Sequence, residues 1–251
     1  MPELPEVETV ARALRKTILG ETVTQINIKP TASIFPDKRR FANLLRGSSF
    51  THIRRRGKNI LIDLSNDHTL WVHLKMTGHF CYLPKSESVG KHDHVVMQLA
   101  DDSYLLRFND YRRFGRLRIF PTNEIMAQPG LAKLGPEPLE IIADDFVRLM
   151  KNRKRMIKPA LLDQTVIAGI GNIYADETLF LSRLHPKRLT DSVSARKLRE
   201  LHGHIQTILK KAIRLMGTSV DSFAGVYGKP GGFQKYLLAY GRENQPCSNC
   251  E

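Results

Sequence analysis

Without Met1, this chain would begin with a proline, and Pro2 would present a secondary amine at the chain end beside the carboxylate of Glu3. An amine whose pKa is drawn toward neutrality is a usable nucleophile, and it condenses with an aldehyde-type carbon to form a Schiff base. The structural alternative is a rigid helix lead-in, with proline in the first turn and Glu3 facing the helix's positive end. Lys58 is the second candidate. It closes the run Arg54-Arg55-Arg56-Gly57-Lys58 at the entry to a strand. There Gly57 lets the backbone turn and aims Lys58 differently from its neighbours. A lysine beside a Schiff base holds a phosphate or moves a proton. Taken alone, the run is equally a solvated charged face.

Four further constellations carry chemical potential. Asn109-Asp110-Tyr111-Arg112-Arg113-Phe114-Gly115-Arg116 interleaves cations with two aromatics. A nucleic-acid surface needs that mixture, cations for phosphates and flat groups to stack or wedge. A surface hairpin with an arginine on its own neighbour's ring would read the same way. Lys91-His92-Asp93-His94 suggests a metal, but His92 and His94 alternate on one side of a strand with no third ligand nearby, which favours a hydrogen-bonded histidine. Gly169-Ile170-Gly171-Asn172 resembles a phosphate loop without the βαβ context of a nucleotide fold. It lies between helical segments at 159–164 and 173–184, so a helix–turn–helix with backbone N–H groups open to a phosphate fits better. Cys247 and Cys250 form one C-x-x-C pair, half of a four-cysteine zinc site whose second pair is expected ~15–20 residues onward.

The elements that must position these groups follow from periodicity. Val7, Val10, Ala11, Leu14 and Ile18 make the apolar stripe of a helix, with Gly20 as its stop. From there to about residue 120 the period is two. Ile26 and Ile28; Ile60, Ile62 and Leu64; Leu70, Val72, Leu74 and Met76; and Val95, Met97 and Leu99 each share one strand face. Pro129 to Pro138 reads as the hinge between halves. Beyond it the period is helical. Phe146, Leu149 and Met150 open a helix with a basic end at 151–155, and the cleanest helix runs over 194–216 with Leu198, Leu201, Ile205, Ile208, Leu209, Ala212 and Met216 on one side. Gly217 ends it, and a loop rich in small residues spans 218–232.

A chain of 251 residues has ample length for a core, and 41% hydrophobic with 25% charged residues is ordinary for a globular protein. The departure is charge: 39 Lys and Arg against 25 Asp and Glu give a net +14. That excess points to a polyanionic partner. No run reaches the length of a membrane span and the N-terminus has no signal-peptide core, so an intracellular nucleic acid is the expected partner and no membrane role is expected. Three cysteines make no disulfide framework and fit a reducing compartment.

Taken together, these runs resemble the bacterial formamidopyrimidine-DNA glycosylases, which remove 8-oxoguanine and ring-opened purines. The resemblance covers essentially the whole chain. Its landmarks are Pro2 to Glu8, Arg55 to Lys58, His73 to Gly78, Lys91 to His94, Asp110 to Gly115, Leu134 to Pro138 and Gly169 to Glu177. The Leu4-Pro5 N-terminus is closer to this branch than to the sister endonuclease VIII branch.

The resemblance implies an α+β fold: an N-terminal helix with an antiparallel β-sandwich (1–130), a linker (131–138), a helical domain with a helix–two-turn–helix (139–246) and the start of a zinc finger (247–251). It implies Pro2 as the nucleophile at C1′, Glu3 as acid/base at the sugar and Lys58 as proton donor in β-elimination. It also implies DNA contacts from His92, Arg112, Lys154 and Asn172, with Met76, Arg112 and Phe114 filling the void of a flipped-out nucleotide. Zinc would sit on Cys247, Cys250 and a second pair that does not occur before Glu251. The finger is therefore expected to be incomplete, zinc binding poor and the hold on DNA weak, with the Pro2 chemistry intact once Met1 is removed. A monomer acting on damaged duplex DNA in the bacterial cytoplasm, at the nucleoid, is expected. The competing class is a non-catalytic, structure-specific DNA binder on the same scaffold. An RNA-binding role is distant, since no RNP-type aromatic strand is present.

Overall fold

The computed structural model describes residues 1–219, 225–226, 228 and 230–247. Helix α1 (Leu4–Ile18) opens with Pro5 in its first turn and ends on basic Arg15 and Lys16, which suit the negative end of the helix dipole. Its predicted stripe is buried along its whole length, and Gly20 follows with φ 86°. Leu4, however, packs in a different core from Val7, Val10, Leu14 and Ile18. The first turn of α1 therefore lies where two cores meet.

The chain continues through β1 (Val23–Ile28), β2 (Ile34–Phe35), α2 (Lys38–Leu45), β3 (Phe50–Arg56), β4 (Asn59–Leu64), β5 (His68–His73), β6 (His79–Pro84), β7 (Asp93–Leu99), β8 (Tyr104–Asn109) and β9 (Arg116–Pro121). These strands form two sheets, ordered β1-β7-β8-β6 and β2-β9-β5-β4-β3. The pairings are antiparallel except β2 with β9. One core draws on α1, α2 and both sheets. In β4 and β5 the period of two breaks down because both faces are covered: Ile60, Ile62, Leu70 and Val72 join that core, while Leu61 and Trp71 pack with Ile125 and Leu131 on the other side.

Two strand expectations fail. β5 stops at His73, so Leu74 and Met76 do not continue its face; Lys75 has φ 56° and turns the chain, leaving Leu74 buried and Met76 exposed. His92 and His94 do not share a strand face either, because β7 starts at Asp93 and its register shifts between Asp93 and Val95.

The segment 129–138 carries a short helix, α3 (Pro129–Ala132), and buries Leu131 and Glu137. The second core is built by α4 (Ala143–Lys151), α5 (Ile157–Leu162), α6 (Asn172–Leu181) and α7 (Ala195–Arg214). Helix α4 ends at Lys151, so Arg153, Lys154 and Arg155 lie in the connection to α5 rather than on a basic helix end. Ser194 caps α7, its Oγ accepting the Lys197 N–H at 3.2 Å. Met216, expected on the apolar side of that helix, lies beyond its end with φ 60° and is exposed. Cys250 lies outside the described residues, as does part of the small-residue loop.

Candidate active site

Glu3 stands immediately before α1, and its side chain lies on the N-terminus of α6. Its Oε2 accepts the Gly171 N–H at 2.7 Å and the Tyr174 N–H at 3.4 Å, and Oε1 accepts the Ile173 N–H at 2.9 Å. A helix start exposes unpaired N–H groups and a positive dipole end, and a carboxylate that is only 3% exposed needs such donors. Gly171 makes the approach possible: a Cβ there would sit 2.4 Å from Glu3 Cδ. This corrects the reading of the Gly169–Asn172 stretch. The N–H groups of Gly171, Ile173 and Tyr174 hold an internal carboxylate and are not open to a phosphate.

Burial is the largest influence on Glu3 and carries its pKa from 4.5 up to about 7, against the downward pull of Lys58 and the N–H donors. Behind it lies Glu6, buried and also shifted upward by desolvation. The Tyr174 hydroxyl donates to Glu6 Oε1 at 2.6 Å, the Thr218 N–H donates to the same oxygen at 2.7 Å, and the Glu3 N–H donates to Oε2 at 2.8 Å. Lys58 is 5% exposed, and desolvation lowers its pKa although Glu3 and Glu6 pull it the other way. A carboxyl titrating near neutrality next to a lysine lowered from its ordinary value makes an acid/base pair usable near pH 7. Pro2 is buried with its nitrogen in the peptide bond to Met1, and Met1 lines a cleft of about 520 Å³ that Lys58 also lines.

The basic run at 54–58 is neither a solvated face nor a phosphate patch. Arg54 pairs with Asp63; Arg55 binds Glu8 at 3.1 Å and Glu137 at 2.7 Å; Arg56 binds Glu137 at 2.9 Å. Glu137 also accepts the Gly57 N–H at 2.6 Å. Gly57, with φ 54°, turns the chain between β3 and β4, and Lys58 is released from the run toward Glu3. Glu137, on the connecting segment, thus fixes the turn that carries the lysine.

A second buried carboxylate gathers the exposed contact residues. Asp110, 1% exposed, accepts the N–H groups of Gly115 (2.6 Å) and Arg112 (3.2 Å) and the Thr77 hydroxyl. Its own N–H donates to the His92 carbonyl at 3.0 Å. Three loops are tied together this way: one carries Met76, one Arg112 and Phe114, and one His92. Met76 and Phe114 are exposed, and the Arg112 guanidinium lies 5.1 Å over the Phe114 ring. His94 is hydrogen-bonded as expected, its ring nitrogens meeting Thr31 Oγ1 and the Asp110 carbonyl at 2.9 Å each. In the α4–α5 connection Arg153 bonds the Leu149 carbonyl and Arg155 bonds Asp163, whereas Lys154 is exposed. Asn172 is exposed as the first residue of α6.

Sequence reasoning missed Glu6, Tyr174, Thr218, Asp110 and Glu137 as parts of the site's frame. Their burial was the absent signal, since an acidic residue in an amphipathic pattern reads as solvated. Among the described residues no three His, Cys, Asp or Glu side chains converge as metal ligands, and Cys247 is the only described member of its pair. No described helix is long and apolar enough to cross a membrane.

Comparison with known proteins bears directly on this geometry. Residues 1–117 match the family model of the formamidopyrimidine-DNA glycosylase N-terminal domain, and residues 134–224 match its H2TH domain. The formamidopyrimidine-DNA glycosylase of Pediococcus pentosaceus is 42% identical, covering 100% of this chain and 91% of that one. That of Lactiplantibacillus plantarum is also 42% identical, covering 100% and 92%. Among solved structures, Lactococcus lactis Fpg with an abasic site containing DNA superposes with a TM-score of 0.91 at 34% identity, over 99% of this chain and 91% of that one. Its complex with an N7-benzyl-Fapy-dG containing DNA gives a TM-score of 0.91 at 35% identity, over the same shares.

Proposed function

The chain belongs to the formamidopyrimidine-DNA glycosylase family, and from that premise we propose that it is a base-excision enzyme that removes oxidised purines through an N-terminal proline and then nicks the strand. The family and the DNA complexes of its relatives make it a DNA-repair glycosylase. The purine preference, the Schiff base and the lyase step are our reading. A relative solved with Fapy-dG containing DNA is compatible with the first, and the same relative has also been solved with an oxidized pyrimidine containing DNA.

The observation that carries the mechanism is Glu3, held on the α6 N-terminus with a pKa of about 7, with Lys58 beside it and Pro2 next in the chain. Loss of Met1 exposes the proline amine. Its lone pair attacks C1′ of the flipped-out nucleotide, the glycosidic electrons leave with the base, and the proton shed by the new C1′-bound ammonium passes to that base, which restores the nitrogen lone pair. Glu3 protonates the sugar ring oxygen as that C–O bond breaks, leaving an iminium between Pro2 and C1′. The cation acidifies C2′; the Glu3 carboxylate, ionised by the ring-opening step, takes a C2′ proton, the C–H electrons form a C2′–C3′ double bond as the C3′–O bond breaks, and Lys58 gives its proton to the departing phosphate oxygen. Met76, Arg112 and Phe114 fill the vacated stack as a flexible apolar chain, a forked donor and a ring. His92, Lys154 and Asn172 take backbone phosphates.

Borohydride trapping on an 8-oxoguanine duplex tests this. A covalent adduct that Pro2→Gly abolishes supports the enzyme. Well-bound DNA without an adduct would move the assignment to the non-catalytic binder.

A further inference from the structure

Strands β6 and β7 lie on either side of β8, so the connection between them, residues 85–92, has to pass β8. It does so over Arg107, in the middle of that strand. Leu106 and Phe108 belong to the core, and Arg107 alternates to the other side of the sheet. A backbone crossing a strand already paired on both edges finds no ladder donors for its carbonyls, which must be served from elsewhere. Arg107 serves them: its guanidinium donates to the Ser88 carbonyl at 2.8 Å and the Glu87 carbonyl at 2.6 Å, with the Asp93 carboxylate 3.5 Å away. Residues 85–90 are exposed, yet the arginine beneath them is only 1% exposed, and its Nε makes no hydrogen bond among the described residues. A buried charge left incompletely paired is a poor source of stability, and its better use is to fix one geometry.

The geometry it fixes leads to His92. Asp93, beside Arg107, accepts the Gly90 N–H and the Asn109 side-chain amide, both at 2.7 Å. Half-buried Lys29, just beyond β1, donates through Nζ to the Gly90 carbonyl at 2.8 Å and the Lys91 carbonyl at 2.9 Å. The His92 carbonyl accepts the Asp110 N–H at 3.0 Å. The peptide groups on both sides of His92 are therefore pinned, one by Lys29 and the other by Asp110. In a chain of net charge +14, Lys29 and Arg107 would be counted among the cations that meet DNA. Both instead turn their donors to carbonyls of their own chain. We propose that Lys29 and Arg107 are positioning residues, holding the 85–92 connection so that the His92 side chain meets a backbone phosphate, while neither touches the DNA itself. This rests on the phosphate contact proposed for His92 and adds how that contact is built. A loop ordered in advance loses little freedom when the duplex arrives, so releasing it weakens binding.

A double-mutant cycle on DNA affinity tests this. The full chain binds a duplex carrying a tetrahydrofuran site, which forms no Schiff base, and affinity is read by fluorescence anisotropy. His92→Ala should weaken binding about tenfold, the contribution of one charge-assisted hydrogen bond. Lys29→Met should weaken it about fivefold while keeping the wild-type unfolding transition. Arg107→Lys, which keeps the charge but lacks the planar fork that serves both carbonyls, should lose a similar factor. In the His92→Ala background both losses should shrink to within about twofold, because residues that act through one contact do not add. Lys29→Arg, which still donates to the Gly90 and Lys91 carbonyls, should bind like the wild type. Losses of full size in the His92→Ala background would overturn the proposal, since Lys29 would then meet the DNA in its own right. Wild-type affinity in Lys29→Met would overturn it as well. If His92→Ala alone leaves affinity unchanged, the phosphate contact fails and the positioning role falls with it, whereas borohydride trapping reads Pro2 and is decided independently.

Discussion

Glu3→Gln isolates the buried carboxylate from the rest of the site. In the folded chain Glu3 holds its proton up to about pH 7, whereas unfolded it titrates at 4.5. Between those values the native state binds a proton the unfolded state does not, so the wild type loses stability as pH rises through that window. At roughly 1.4 kcal/mol per unit, the span from 4.5 to about 7 is worth about 3 kcal/mol. Glutamine does not titrate, but its single carbonyl oxygen cannot serve the Gly171, Ile173 and Tyr174 N–H groups together. The variant therefore starts with a pH-independent loss of about 1–3 kcal/mol for an unsatisfied donor. Urea unfolding at about pH 5 and about pH 8 measures both terms. Relative to wild type, the variant should be clearly less stable at the lower pH and recover about 2.5 kcal/mol at the higher one, because the assay opens about half a unit above the unfolded value. His73 also titrates below 6.5, but Glu3 is not among the causes of its shift, so its contribution subtracts out. A difference constant to within about 0.5 kcal/mol across that range would show that Glu3 is ionised throughout, and the assignment of its proton to the sugar step would fall.

Four other outcomes follow from the same geometry. Gly171→Ala puts a Cβ into the Glu3 carboxylate and should lower stability by about 1–3 kcal/mol in thermal melts, with loss of trapped adduct. Glu137→Ala strips Arg55 and Arg56 of a buried partner, and we expect about 3 kcal/mol of destabilisation in urea. A variant within about 0.5 kcal/mol of wild type would deny Glu137 its role in fixing the Lys58 turn. His73→Gln should lose less stability than wild type as pH falls from 6.5 to about 3, because a neutral buried histidine resists the proton its unfolded form accepts. Asp110→Asn should loosen the loops bearing Met76, Arg112 and Phe114 and weaken binding of lesion duplex by about tenfold in fluorescence anisotropy, with undamaged single strands affected less.

Much was legible in the residues alone. The stripe of α1, the two-residue period through the first half and the α7 pattern are local signals, because a one-sided element repeats its apolar residues at its own pitch. The reactive chain end and the interleaved cations and aromatics were visible as residue types. Electrostatic pairing was not. The run Arg54 to Arg56 looked like a surface for a polyanion until Glu8, Asp63 and Glu137 were seen to consume it, and the glycine-rich turn looked open to a phosphate until Glu3 was seen to occupy it. Those partners lie up to 168 residues away along the chain. Sequence order determines which groups exist and the pitch at which each element repeats. Only the packing of α1 across two cores decided that Glu3 is buried on a helix N-terminus beside Lys58, because desolvation and Coulomb interaction depend on distance in space and on the water excluded there.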